Sequence, residues 1–395
     1  MPERESLVSA RLWLAFATML LVSGIGNTFP VFFPPLLAEF GGSRAATAGT
    51  VSLIWIGGAI VGPLAGALVD RRDPRLVIGA GVLATALGLA GGALAPTLPI
   101  FIACVGLGAG IGVGLTGMVT QAAVIADAYT RRRGFATGIA FAGSMAGYVL
   151  AAPAQLAIAR LGWRATLGLY AVMVLTLIPC VLLVYPTRLR ARVAGAATDR
   201  TLGDVVRSRP FWALEAVFTV APLVGYLVTT QHALYFASQG FRAAEAAAML
   251  MVGGVLSTGG RALAGLAADR FGAPTVGVVS YAMTLLGTLC LAVFEFHPAR
   301  WLAYGYVLFV FLPLGTRATL VAMLVPRLAP ASRFGAVFGA LAIGNSLGAA
   351  LGPVLSGAIY DLTESYLVIY TVAVVLVAAG LAALLSFLAR TRAAG

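Results

Sequence analysis

Apolar residues fill this chain in long unbroken runs, with polar positions confined mostly to the short intervals between them. Windows of about 20 residues predict twelve helices, near 12–38, 46–69, 76–96, 98–129, 134–159, 163–185, 210–238, 245–268, 275–295, 301–326, 334–358 and 363–388. Each is long enough, at ~1.5 Å per residue, to cross a hydrocarbon layer about 30 Å thick. The fourth and seventh windows are the long ones, which predicts tilting or extension beyond the bilayer. One polar connector, 186–209, separates the sixth run from the seventh and carries Arg188, Arg190, Arg192, Arg200, Arg207 and Arg209. It is the predicted domain boundary. The expected architecture is an all-α membrane protein with a six-helix bundle over 1–185, a linker over 186–209 and a second six-helix bundle over 210–395.

The second half repeats the first. Gly62-Pro-Leu-Ala-Gly66-Ala-Leu-Val-Asp70-Arg71-Arg72 is answered by Gly260-Arg261-Ala-Leu-Ala-Gly265-Leu-Ala-Ala-Asp269-Arg270-Phe-Gly272. Arg133-Gly134, Gly138, Gly143, Gly147 and Pro153 are answered by Arg333, Gly335, Gly339, Gly344, Gly348 and Pro353. Two parallel repeats of six spans imply a pseudo-twofold axis along the membrane normal and a site near the midplane.

Composition agrees with this and narrows the function classes. The chain is 60% hydrophobic and only 10% charged, where a soluble domain carries roughly a quarter charged residues. Lysine is absent, so the 26 basic residues are all arginine. With the N-terminus inside, nineteen of them fall in cytoplasmic segments, among them Arg71, Arg72, Arg75, Arg131 to Arg133 and the linker; five fall outside, Arg44, Arg160, Arg164, Arg242 and Arg300. That asymmetry places both termini in the cytoplasm. The net charge of +12 is thus a topology signal; no basic helix or aromatic platform points to nucleic acid. Cys104, Cys180 and Cys290 sit singly in apolar runs without metal-ligand spacing. Gly106-x-Gly108-x-Gly110-x-Gly112-x-Gly114 follows no strand, and without lysine it is no phosphate loop; small residues for close helix contact explain it. No cleaved signal is expected, since the first apolar run continues past the usual length into Pro34 and Pro35.

At these motifs the chain resembles the major facilitator superfamily over essentially its whole length. Gly66-x-x-x-Asp70-Arg71-x-x-x-Arg75 is similar to that superfamily's loop motif between the second and third helices, with Asp73-Pro74 replacing the usual ending; the second copy lacks the final arginine. The resemblance implies a gating role, closing the cytoplasmic side, for Asp70, Arg71 and Asp269. Phe32-Phe33-Pro-Pro-Leu-Leu-Ala-Glu39-Phe-Gly41 with Ser43-Arg44, Arg131-Arg132-Arg133-Gly134 and Gly162-Trp163-Arg164 resemble the monocarboxylate and oxalate/formate transporter branch. That branch has an arginine in its eighth helix that contacts the substrate carboxylate, and Arg261 falls there. The aspartate that animal members place four residues earlier is Ser257 here, and the first helix has no basic residue, so their proton-coupling scheme does not carry over.

Arg261 and Arg317 are the two arginines left within spans, each ~12–15 Å from the inner boundary and without an acid in its own span. A planar guanidinium fork suits a carboxylate, and intramembrane charge marks a function. Asn27, Gln121 and Tyr148 are candidate walls of the first half, with helix packing as the other reading of each. His232 and Asn345 are candidates in the second half, His232 also for proton sensitivity and Asn345 also for close packing beside Gly344. Asp127 is a second candidate for proton coupling.

The expectation is a secondary active transporter of a small organic mono- or dicarboxylate in a bacterial inner membrane, working by alternating access as an anion exchanger or with protons. The alternative is a drug or amphiphile efflux pump of the same fold. No enzyme activity, cofactor or metal is expected; the expected partners are the carboxylate and membrane lipid, the expected state a monomer.

Overall fold

The structure, a computed structural model, describes residues 2–129, 133–188, 202–328 and 334–392. Arg131, Arg132, Arg190, Arg192, Arg200 and Arg333 lie outside the described residues, as do the side chains of Arg4, Asp70, Arg133 and Arg392. The chain is a succession of helices: α1 (Ala10–Phe40), α2 (Arg44–Val69), α3 (Pro74–Ala93), α4 (Leu98–Ala128), α5 (Ala136–Leu161), α6 (Trp163–Val184), α7 (Arg209–Thr229), α8 (Ala243–Phe271), α9 (Ala273–Phe294), α10 (Arg300–Leu314, then Arg317–Leu324), α11 (Val337–Thr363) and α12 (Tyr366–Arg390). Eleven of them, all but α10, are single helices long and apolar enough to cross a membrane among the described residues. Their outer faces are apolar too: Leu87, Leu183 and Leu266 are each more than half exposed, Leu183 at 78%. Helices apolar all round are stable where lipid is the solvent, because every backbone bond is closed within the helix. The protein is a multi-pass membrane protein.

Local chemistry sets the helix starts and turns. Ser43 caps α2 by accepting from the Ala46 N–H at 3.0 Å, and Asp73 caps α3 by accepting from the Arg75 N–H at 2.9 Å, with Pro74 at the first helical position. Gly162 and Gly272, at φ +80° and +83°, are the single residues on which α5 turns into α6 and α8 into α9.

The excess length of the fourth and seventh windows goes into breaks. The backbone is extended at Gly117, between Thr116 and Met118 of α4. Helix α7 ends at Thr229, and a short helical segment, His232–Ser238, follows. Helix α10 breaks at Gly315–Thr316, immediately before Arg317. Single π-helical turns also interrupt α4 (Ile102–Leu107) and α10 (Val307–Phe311), the kind of defect that recurs where helices serve a function.

The described chain forms two compact units, one of Met1–Ala191 with Thr230–Val255 and the other of Arg192–Thr229 with Leu256–Gly395. The stretch from the end of α7 into α8 therefore belongs with the first unit. Inside the first unit α1 packs on α5, α2 and α3 on α4, and α3 on α6. Inside the second the pairings recur six helices on: α7 on α11, α9 on α10, and α9 on α12. Helix α8 meets α10 glycine to backbone, where a Cβ on Gly260 would run into the Leu312 carbonyl.

Candidate functional site

Arg261 and Arg317 both belong to the second unit, and the break in α10 joins them. At a break the helix cannot satisfy its own carbonyls, and the freed Gly315 oxygen accepts from Arg261 Nε at 2.8 Å. Gly315 is as tightly seated as Gly260, its Cα facing the Ser257 carbonyl of α8. Two glycines thus let α8 and α10 approach closely enough for a side chain on one to reach the main chain of the other. Arg261 is 8% exposed, and this is its one hydrogen bond among the described residues. Among the described residues its two terminal nitrogens, the planar fork, have no hydrogen-bond acceptor.

Arg317 is 3% exposed and more fully engaged. It donates from Nη2 to Thr284 Oγ1. Its guanidinium carbon stands 4.5 Å over the ring of Tyr281, a cation–π contact that gains strength away from water. The Tyr281 hydroxyl donates to the Val217 carbonyl of α7 at 2.5 Å, so Arg317 is fixed to α9 and, through that ring, to α7. Ser280 and Thr316 hydroxyls meet at 3.1 Å beside it. Arg317 Nε is buried with no hydrogen-bond partner. Among the described residues no carboxylate lies within ion-pair distance of either arginine; the ion pairs Arg11–Asp127 and Arg164–Glu39 lie in the first unit.

Ser280, Tyr281 and Thr284 were not singled out from the sequence, although a signal was there. They fall on one turn of an otherwise apolar helix at i, i+1 and i+4, which is one face. Asn345, the remaining second-unit candidate, is half-buried on α11 beside Gly344 and makes no hydrogen bond among the described residues.

The other candidates lie in the first unit, each with a partner inside it. Asn27 donates Nδ2 to the Ser144 carbonyl at 2.7 Å, just before α5 tightens into a 3-10 turn at Gly147–Leu150. Gln121 Oε1 accepts from the Tyr185 hydroxyl at 2.8 Å, while its buried Nε2 has no partner. Tyr148 is buried, with Gly254 of α8 packed on its Cβ. His232 Nε2 lies 3.0 Å from the Ala246 carbonyl and so carries the proton in that bond, and the ring packs on Phe236. Asp127 is paired with Arg11 at 3.4 Å.

Of the gating candidates, Arg71 and Asp269 are exposed near helix ends. In the first copy of the loop motif Arg75 is engaged: its Nε donates to the Tyr185 carbonyl at 2.6 Å and thereby caps the end of α6. Its counterpart on the other side of the first unit is Arg164. It pairs with Glu39 at 2.6 Å, bonds the carbonyls of Ala93 and Ala95 at 2.9 Å, and lies 4.4 Å over the ring of Trp163. Among the described residues no three His, Cys, Asp or Glu side chains are grouped to hold a metal ion.

The chain has clear relatives. The chain is 26% identical over 375 residues to monocarboxylate transporter 13 of Bos taurus, covering 93% of this chain and 86% of that protein. It is 30% identical over 285 residues to monocarboxylate transporter 11 of Mus musculus, covering 70% and 63%. Its fold matches the crystal structure of a D-xylose-proton symporter with a TM-score of 0.76 at 17% identity, over 96% of this chain and 97% of that one. Residues 14–340 and 263–395 match the Major Facilitator Superfamily. Fold and relatives are those of transporters, not enzymes, and the chain belongs to the Major Facilitator Superfamily.

Proposed function

We propose that this protein moves a small organic carboxylate across a bacterial inner membrane by alternating access of its two six-helix halves, with Arg261 as the group that meets the carboxylate. The carrying observation is the state of Arg261: it is buried, oriented by one hydrogen bond from Nε, and left with an open fork and, among the described residues, no acid in ion-pair distance. A bidentate carboxylate satisfies that fork. Arg317, held to α9 by the Thr284 hydroxyl and the Tyr281 ring, leaves Nε for a second acidic group where a substrate has one. Similarity to proteins named monocarboxylate transporters supports the same substrate class. An amphiphile pump for cations would place an acid where these two arginines stand. Both termini on the cytoplasmic side agree with the arginine asymmetry.

Thermal unfolding of the purified protein in detergent, with a panel of mono- and dicarboxylates, tests this by mass action. Pyruvate or oxalate is expected to raise the unfolding temperature of the wild type and to leave Arg261→Gln unmoved. Stabilisation by cationic amphiphiles and by no carboxylate would overturn the reading in favour of efflux.

A further inference from the structure

Helices α3 and α6 of the first unit are tied together at both ends by an arginine that reaches main-chain carbonyls. At one end Arg164, in the first turn of α6, donates to the carbonyls of Ala93 and Ala95 at 2.9 Å, where α3 finishes. At the other end Arg75, in the first turn of α3, donates from Nε to the Tyr185 carbonyl at 2.6 Å, where α6 finishes. Arg11 of α1 adds a second guanidinium there, donating from Nε to the neighbouring Val184 carbonyl at 3.2 Å. Two cations thus meet on consecutive carbonyls of one helix end, whose partial negative charge favours them.

The two ends differ in their acids. Glu39 neutralises Arg164 at 2.6 Å, so that end is closed by the chain itself. At the Arg75 end, Asp127 pairs with Arg11 at 3.4 Å and Asp73 caps α3 through the Arg75 backbone N–H. Among the described residues no carboxylate lies within ion-pair distance of Arg75, and its two terminal nitrogens have no hydrogen-bond acceptor. Arg72, three residues before Arg75, and Arg188, three residues after Tyr185, are exposed and make no side-chain hydrogen bond or ion pair among the described residues. Orientation in the membrane asks only that arginines lie in these segments. It does not ask them to converge on one helix end without an acid, where like charges repel and draw in an anion. Leu76 on α3 and Leu183 on α6, each more than half exposed, adjoin the same end.

We propose that this corner of α3 and α6 binds the headgroup of an anionic phospholipid. Arg72, Arg75 and Arg188 meet the phosphate, and Leu76 and Leu183 meet the acyl chains. Helix α3 is 20 residues long, hence ~30 Å, so its first turn lies at the depth of the headgroups. A guanidinium fork takes a phosphate bidentately, and each arginine near an anionic lipid surface adds to the attraction. The second unit has no counterpart. In the repeat, the residue in register with Arg75 is Pro274, and Arg270 lies 5.4 Å over the ring of Phe271. The site is therefore a property of the first unit alone, and it is independent of what the protein carries.

The test uses the full-length protein in detergent, with thermal unfolding titrated by phosphatidylglycerol, by phosphatidylcholine and by inorganic phosphate, since a bound ligand stabilises by mass action. Phosphatidylglycerol is expected to raise the unfolding temperature, and the other two to raise it less. In the double variant Arg72→Gln/Arg188→Gln, the phosphatidylglycerol concentration giving half the full shift is expected to rise about tenfold or more, the combined effect of two arginines at an anionic surface. Arg270→Gln, at the matching place in the second unit, is expected to respond as the wild type does. Equal stabilisation by phosphatidylcholine overturns the proposal in favour of general lipid solvation, and equal stabilisation by inorganic phosphate in favour of a soluble anion. An unaltered response in the double variant overturns it too, as does an equal loss in Arg270→Gln, which would trace the effect to net charge. Should the double variant fail to fold, Arg72→Gln and Arg188→Gln carry the test singly, each with an expected rise of about threefold or more; a wild-type response in both overturns the proposal.

Discussion

Two guanidiniums buried in one bundle are stabilised here in different ways, and the difference separates binding from stability. Arg317 has a hydroxyl and an aromatic face for its charge, whereas Arg261 has one carbonyl. Removing a partner of Arg317 leaves a buried charge short of an acceptor, a loss on the order of 1–3 kcal/mol; intramembrane hydrogen bonds fall toward the lower end of that range. Thr284→Val, which keeps the shape and deletes the acceptor, is expected to lower the unfolding temperature while leaving pyruvate or oxalate able to raise it. Arg261→Gln is expected to do the reverse. Thermal unfolding of both variants with and without ligand reads the two effects separately. A Thr284→Val protein as stable as wild type would show that the Tyr281 ring alone holds Arg317.

At the scale of elements, glycines decide which helices can exchange polar contacts. Gly260 is seated against the Leu312 carbonyl, and its neighbour Gly259 has open space where a Cβ would go. Gly260→Ala must part α8 from α10 and draw the Gly315 carbonyl away from Arg261, so it is expected to weaken carboxylate binding about tenfold, the effect of losing ~1.4 kcal/mol. Gly259→Ala is expected to change it little. Ligand titration of the two variants checks the pair, and equal affinities would detach Arg261 from the α8–α10 contact. The spans were legible in the sequence because hydropathy sums over some 20 residues and tolerates local error. The breaks at Gly117, Thr230–Gln231 and Gly315–Thr316 were not, because each turns on one or two backbone torsions inside a run that remains apolar throughout. For the same reason Arg317 was legible as an intramembrane charge and its seat was not: which face of α10 meets α9 depends on where the helix restarts. Asn27 and Gln121 stood out as rare polar groups, but only packing shows that their amides reach Ser144 and Tyr185.

For the whole molecule, orientation in the membrane is the property that fixes which ends of the helices face the cytoplasm. Nineteen arginines in the segments read as cytoplasmic against five in the outer ones predict it. The structure supplies positions that report it directly. Helix α3 is 20 residues long, hence ~30 Å, the thickness of the hydrocarbon. Exposed residues at its two ends, Arg72 and Thr97, must then lie on opposite faces. In a variant with Cys104, Cys180 and Cys290 replaced by serine, Thr97→Cys is expected to react with a membrane-impermeant maleimide in intact cells. Arg72→Cys should react only after the membrane is opened. The opposite pattern would invert the molecule and place both termini outside. Labelling of both positions in intact cells would mean that α3 does not span, and the repeated pairings of α3 with α6 and α9 with α12 would then have to form outside the bilayer. Their apolar outer faces, Leu87 on α3 among them, make that arrangement the costlier one in water.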